Sequence, residues 1–394
     1  MRAITLVATL FLLLTGIYPA LAQTETAPTT DKTTTTQPEV VPAESPESVP
    51  PAAPPPPPSA PASLNPDISV VGNALGSLAN HQLTPDEPSK HIDLNETEVV
   101  IGSKLYPGVS GIAVFTVGGK PGDSAGVEES YIAAEQLFSN APIGGRLGIA
   151  RLPFGKVNPL HPHSLPFADT PNVLSNLLGD FRGNGFEFVG LIPTHSNIFL
   201  QANLGRWKSV GDPGINNPFT GDTGPAFNDN ALTLGRLWAS TALGENNEVE
   251  LGASGAFGTA DGTPTVAEAN NSHLNLVGVD STWRLYLPNE TRVMVSGEAI
   301  RRSDPGVTTS GYYLLGTYRP GHFYEFGTRY DWSQFAGDNT HHESYASLFG
   351  THFLSEQTFL RLQVKHGTDR LNRGVNELIA QVVWGFGPHT HPLQ

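Results

Sequence analysis

The chain contains no cysteine and only 2 methionines. Without thiols there is no disulfide framework, no thiolate metal site, no thiol nucleophile and no cysteine for an N-terminal lipid anchor. Charge is scarce too. Asp, Glu, Lys and Arg make up 15% of the residues, where about a quarter is usual for a soluble protein. Cations are the scarcer sign, with 22 Lys and Arg against 37 Asp and Glu and a formal charge of −15. That balance lacks the basic footprint of a nucleic-acid binder and leaves room for a weak preference for cations or neutral solutes. Beyond residue 22 no apolar run approaches the ~20 residues of a membrane helix. A membrane, if there is one, must be crossed by strands.

Glycine (42) and proline (34) are plentiful. Together with short alternating runs they point to an all-β chain. The clearest run is the last. Leu360, Leu362 and Val364 alternate with Arg361, Gln363 and Lys365, and after a turn Leu378, Ala380, Val382, Trp384 and Phe386 share one face. Period two marks a strand with unlike faces, apolar to a core in a soluble sheet or apolar to lipid in a membrane barrel. The pattern recurs at Ile198–Leu204, Val249–Phe257, Val277–Leu287, Val293–Ala299 and Tyr324–Trp332. Two segments, Leu234–Trp238 and Tyr345–Phe353, carry apolar residues in both registers.

Residues 1–22 read as a secretory signal: Arg2, an apolar run around Leu10–Leu14, and a small-x-small site at Ala20-Leu21-Ala22. Its removal leaves 21 Lys and Arg against 37 Asp and Glu, a balance of −16. Residues 23–64 are Thr-rich, then Pro-rich, and cannot bury a core; they suit a disordered periplasmic linker with polyproline segments. Residues 65–394 are then one outer-membrane β-barrel. At ~20 residues per strand and connection this gives about 14–16 antiparallel strands, in even number. Short turns such as Gly244–Asn247 and longer connections such as Lys208–Asp229 suit opposite rims. Trp207, Trp238, Trp283, Trp332, Trp384, Tyr106 and Tyr318 are the expected interfacial girdles.

One segment breaks the rhythm. Arg151–Gly185 does not alternate, and its five prolines exclude a central strand. It is too long for an idle connection, so it is expected either to fold into the lumen as a constriction or to pack on the rim. His161, His163, Asp169, Asp180 and Arg182 are its candidate constriction residues. Arg284, Arg292, Glu298, Arg361, Gln363 and Lys365 are the lining candidates from the polar register.

Several motifs together resemble a bacterial family: Val127–Tyr131, Gly148–Asn158, His161 and His163, Phe167–Pro171, and Gly387–Pro392, with Asn65–Val70 similar to its first strand. The family is one of porin-like outer-membrane proteins often labelled zinc-regulated or TonB-dependent receptors. The resemblance implies a barrel taking up small solutes with a metal link. The Pro-rich stretch cannot be a folded plug, so the resemblance is to a plugless barrel.

Three histidine pairs (His161/His163, His341/His342 and His389/His391) offer imidazoles to zinc-class ions. None has the spacing of a helical zinc motif, and no metal site or cofactor is assigned. No Gly-x-Ser-x-Gly elbow or other catalytic signature is present, so no enzyme activity is expected. The expected function is passive diffusion of small hydrophilic solutes or ions across the outer membrane of a Gram-negative-type cell. A plugless receptor for metal or siderophore uptake and a secreted soluble β-rich binding protein are the alternatives. The expected partners are outer-membrane lipids and the solutes, with no nucleic acid. A homo-oligomer and a cell-wall or periplasmic partner held through residues 23–64 are compatible with this reading.

Overall fold

The computed structural model describes residues 65–83, 88–118, 125–194, 196–209, 232–260 and 273–388. The leader, the linker and the His389/His391 pair lie outside the described residues. Sixteen strands follow in order: β1 (Asp67–Ala79), β2 (Lys90–Tyr106), β3 (Val109–Gly118), β4 (Ala125–Ala134), β5 (Ile143–Arg151), β6 (Arg182–Leu191), β7 (Ile198–Ser209) and β8 (Leu232–Ala242). The second half is β9 (Asn247–Thr259), β10 (His273–Leu287), β11 (Thr291–Asp304), β12 (Val307–Arg319), β13 (Tyr324–Phe335), β14 (Asp338–Ser355), β15 (Thr358–Thr368) and β16 (Gly374–Phe386). Each pairs antiparallel with the next, and β16 closes on β1 with Val70 opposite Phe386. The sheet has no free edge.

The alternation has the sense a membrane demands. On β13, Arg329 and Asp331 are buried while Phe326 and Tyr330 are exposed; on β14, Leu348 is 61% exposed between the buried Ser347 and Phe349. Apolar side chains cover the outside and polar ones face the interior, the arrangement of a barrel in lipid. A soluble sheet would have the two faces exchanged, so the soluble binding-protein alternative is overturned.

Aromatic clustering on the exterior supports the girdle in part. Tyr312 packs on Tyr330 and Trp332 with ring centroids 6.2 and 5.8 Å away, and Trp384 faces outward. Trp207 does not belong there: it is 2% exposed, inside the barrel under the ring-facing guanidinium of Arg146. Trp238 shares the inward register of Arg236 and packs on Phe199 at 4.9 Å.

The connections differ from a strict division into long and short rims. Turns at 107–108, 243–246, 288–290 and 356–357 lie on the rim where β1 begins and β16 ends. At 288–291, Asn289 and Glu290 both take positive φ (59° and 57°), the mirror-image turn that matches strand twist. The opposite rim has the longer connections, including 152–181, but also tight turns at 305–306 and 336–337. The tight turns stand where the short helix α1 (Asn172–Leu177) docks. Ala336 N–H donates to the Asn176 carbonyl at 3.1 Å, next to Gly337 N–H on Asp304 at 3.2 Å.

Candidate functional site: a loop folded into the lumen

The connection 152–181 does not sit on the rim. It turns into the barrel, and its neck is stapled by Asn158, whose amide donates to the Leu152 carbonyl at 2.8 Å and the Phe181 carbonyl at 3.0 Å. Phe154, Leu165, Phe167, Val173 and Leu177 are buried, with Leu274, Leu276, Ile300 and Leu315 of the wall, in one apolar core inside the barrel. The mixed registers of β8 and β14 now have a cause. Leu232, Leu234 and Phe349 point inward because the loop gives them apolar surface to meet. Two wall glycines permit the close approach. A Cβ on Gly278 would lie 2.8 Å from the Phe154 ring, and one on Gly311 would lie 2.9 Å from Val173.

Polar anchors hold the loop at three places. In the middle, Lys156 pairs with Glu250 and donates to Thr282 at 3.0 Å, and the backbone N–H groups of Lys156 and Val157 donate to Glu298 at 3.1 and 2.7 Å. At the second anchor the wall is basic. Asp169 accepts from Arg329 at 2.9 Å, Gln363 at 2.5 Å and Lys365 at 2.8 Å, while Arg329 also holds Asp331 at 2.6 Å. Burial works against charge on Asp169, but Arg329 and Lys365 outweigh it and hold the carboxyl below its usual range. Arg361 donates to the Phe167 carbonyl at 3.0 Å.

The third anchor is acidic. His161 Nδ1 is 2.8 Å from Glu98 and 3.5 Å from Glu128, and its Nε2 is 3.4 Å from Glu129. His163 Nδ1 lies 3.6 Å from Glu98 and 3.9 Å from Glu96. Burial disfavours a charged imidazole, yet hydrogen bonds with Glu128, Glu129 and Glu98 outweigh it and hold the His161 pKa well above its ordinary value. Arg151 is bound to Glu128, and its backbone N–H donates to Glu129 at 2.5 Å.

Beside the loop lies a cavity of about 280 Å3. Lys156, Arg284, Arg292, Arg319 and Arg361 face it, against Glu325 and Glu356. Of the residues expected to line a pore, Arg284, Arg292, Arg361 and His163 border this cavity, Arg361 and His163 as buried side chains. Glu298, Gln363 and Lys365 face inward but are taken up by the loop. His161 and Asp169 are anchors of the loop against opposite kinds of wall. Asp180 and Arg182 pair with each other at the neck, with the Arg182 Nε 2.8 and 2.9 Å from the two carboxylate oxygens, and do not border the cavity. His341 and His342 are exposed on β14, His341 bonded to Asp338 at 2.7 Å.

Sequence reasoning missed Glu98, Glu129, Arg329 and Lys156 as functional side chains. One signal existed. Successive strand residues point to opposite faces, yet Glu128 and Glu129 are both buried. A β-bulge explains this: Phe115 pairs with Val127 and Val114 with Glu129, leaving Glu128 as the extra residue. An adjacent Glu-Glu in mid-strand is the trace such a bulge leaves.

No family model matches the chain, and no curated relative matches it. Solved structures do share its fold. OmpF of Salmonella typhi, in complex with daunomycin, superposes with a TM-score of 0.54 at 8% identity, covering 82% of this chain and 98% of that one. An anion-selective porin from Comamonas acidovorans gives 0.51 at 12% identity over 82% and 98%. The trimer form of OmpT, an outer-membrane protein of Vibrio cholerae, gives 0.52 at 9% identity over 82% and 99%. The zinc-regulated and TonB-dependent labels find no support among these structures. An apolar exterior around a polar lumen puts this barrel in a membrane, and the closed 16-strand fold is that of outer-membrane barrels.

Proposed function

We propose that the protein is a channel for passive diffusion of small hydrophilic solutes through the outer membrane, constricted by the loop 152–181. The observation that carries this reading is the cavity beside that loop: a space inside the barrel, largely apolar in its lining, that charged side chains border. Its facing charges number five cations and two carboxylates. Rings of charge set pore selectivity, and the nearest charges dominate because ions screen the rest within about 10 Å at 0.1 M salt. The channel therefore has a modest anion preference, opposite in sign to what the chain's net charge suggests. Glu248 and Glu250 behind Arg284, at 3.3 and 2.6 Å, keep that preference modest.

The fold of the porin neighbours and the nature of the lumen favour a transport role and not catalysis. A trimer form among those neighbours favours a homo-oligomer. Residues 1–22 act in this reading as a cleaved leader and residues 23–64 as a periplasmic linker. The test is single-channel recording of purified, refolded protein in a planar bilayer under a salt gradient. Stepwise openings with an anion-signed reversal potential are expected. Replacing 156–178 by a short Gly-Ser linker should raise conductance several-fold. Silence from protein shown to be folded would sink the channel; a cation-signed potential would sink the selectivity.

A further inference from the structure

The acidic anchor has more than a latch requires. Four carboxylates (Glu96 and Glu98 on β2, Glu128 and Glu129 on β4) surround two imidazoles from a single His-Pro-His turn. Among the described residues, the fixed cation bonded to them is Arg151, and the carboxylates of this anchor outnumber that guanidinium.

The donor atoms are arranged as ligands are. One atom each from Glu98, Glu128 and His161 lies within 4.8 Å of the other two, and all three residues are buried. In a tetrahedral zinc shell with bonds of ~2.0–2.2 Å, neighbouring donors stand about 3.3–3.6 Å apart. The 3.5 Å from His161 Nδ1 to Glu128 falls in that range, and the 2.8 Å to Glu98 is shorter and would open slightly around an ion. His163 Nδ1 lies 3.6 Å from the same Glu98 oxygen, outside the close set of three donors, and joins the shell by moving toward the ion.

Two further features point to a ligand. Arg151 holds only Oε1 of Glu128, and the buried Oε2 accepts no hydrogen bond. An unsatisfied buried carboxylate oxygen is costly unless something positive reaches it. The bulge on β4 also turns a second carboxylate toward the loop where a regular strand would have turned it to lipid. Pro162 between the imidazoles fixes its own φ and limits how far the two rings can separate; they lie 5.7 Å apart, 29° from parallel.

We propose that Glu98, Glu128 and His161, with His163 as the fourth donor, form a site for a divalent transition-metal ion of the zinc class. The ion ties the inserted loop to β2 and β4. It is held by the protein as a structural clamp and is not the solute carried. The reading does not depend on whether the cavity conducts.

The test uses full-length protein with His389→Ala and His391→Ala, which removes the tail imidazoles as a competing chelate. This parent is refolded in detergent, stripped with chelator and titrated with Zn2+ by calorimetry, and with Co2+ by visible absorption. The proposal expects one equivalent of saturable binding and a cobalt spectrum with nitrogen–oxygen ligand-field bands. Glu98→Gln, Glu128→Gln and His161→Ala should each weaken affinity at least tenfold, while His341→Ala/His342→Ala leaves it unchanged. Heat-modifiable migration on gels shows which variants keep the barrel. X-ray absorption at the zinc edge of the loaded parent needs no variant, and an imidazole-containing shell at ~2.0–2.2 Å is expected. A folded parent that takes up no stoichiometric zinc, a shell lacking imidazole, or folded site variants with the parent's affinity would each overturn the site.

Discussion

The inserted loop meets the wall at a basic cradle and an acidic one, and the two are built differently. At Asp169 the charges match. One loop carboxylate receives Arg329, Lys365 and the Gln363 amide, and the second wall carboxylate, Asp331, takes the remaining guanidinium edge. At His161 the signs are reversed and, among the described residues, carboxylates are in excess: four of them face Arg151 and two imidazoles. A matched cradle is complete with the protein's own atoms. An unmatched one leaves a place for a cation from solution.

The comparison breaks most readily at Arg329. Its side chain is fully buried, holds Asp331 and Asp169 together, and lies 4.4 Å above the Phe167 ring. Arg329→Ala strands a buried carboxylate and strips the loop's main tether. We expect a loss of about 3–5 kcal/mol in barrel stability, read by guanidinium unfolding in detergent. A loss under about 1 kcal/mol would show that the basic cradle is not what holds the loop.

Asp169→Asn comes next, at about 2 kcal/mol near neutral pH, less than a fully buried pair because Asp169 keeps some solvent contact. Its pH dependence has a definite sign. The folded pKa lies below the unfolded value, so the stabilisation is complete above the unfolded pKa of about 3.9 and is lost as pH falls through the lower folded value. The gap between wild type and Asp169→Asn should therefore hold from pH 7 to about pH 4 and close only at more acid pH. A gap closing between pH 6 and 5 would mean that Asp169 is not depressed by its partners.

Much of this architecture could be read from the sequence, for a physical reason. A strand between lipid and water has only two environments, so Leu360 to Lys365 or Tyr324 to Trp332 record their faces residue by residue. Five prolines likewise announced that 151–185 was no strand. What stayed hidden was pairing over long distances. Nothing local tells His161 that Glu98 will face it across the lumen, or Asp169 that Lys365 will. Apolar inward residues were ambiguous for the same reason: Leu232 and Leu234 make sense only once the loop's own core is in place. Trp207 was misassigned because an aromatic near a strand end can cap lipid or fill a lumen, and period two cannot choose when both faces are apolar.

The smallest predicted effect is also the sharpest contrast between the cradles. Glu96 contributes charge to the acidic anchor but little bonding. Its buried Oε1 accepts no hydrogen bond, and its nearest imidazole nitrogen is 3.9 Å away. Glu96→Gln removes one of the surplus charges and keeps the shape. In chelator-treated protein it should change stability by no more than about 0.5 kcal/mol, or raise it, because relief of like-charge repulsion offsets the lost attraction to His163. The same substitution should reduce the stabilisation that added salt gives the wild type, since salt screens the repulsion that Glu96 brings. A carboxylate-to-amide change therefore costs about 2 kcal/mol at Asp169 and next to nothing at Glu96. If Glu96→Gln instead cost more than about 1 kcal/mol in metal-free protein, the acidic cradle would be as fully matched as the basic one, and the charge argument for a bound cation would lose its footing.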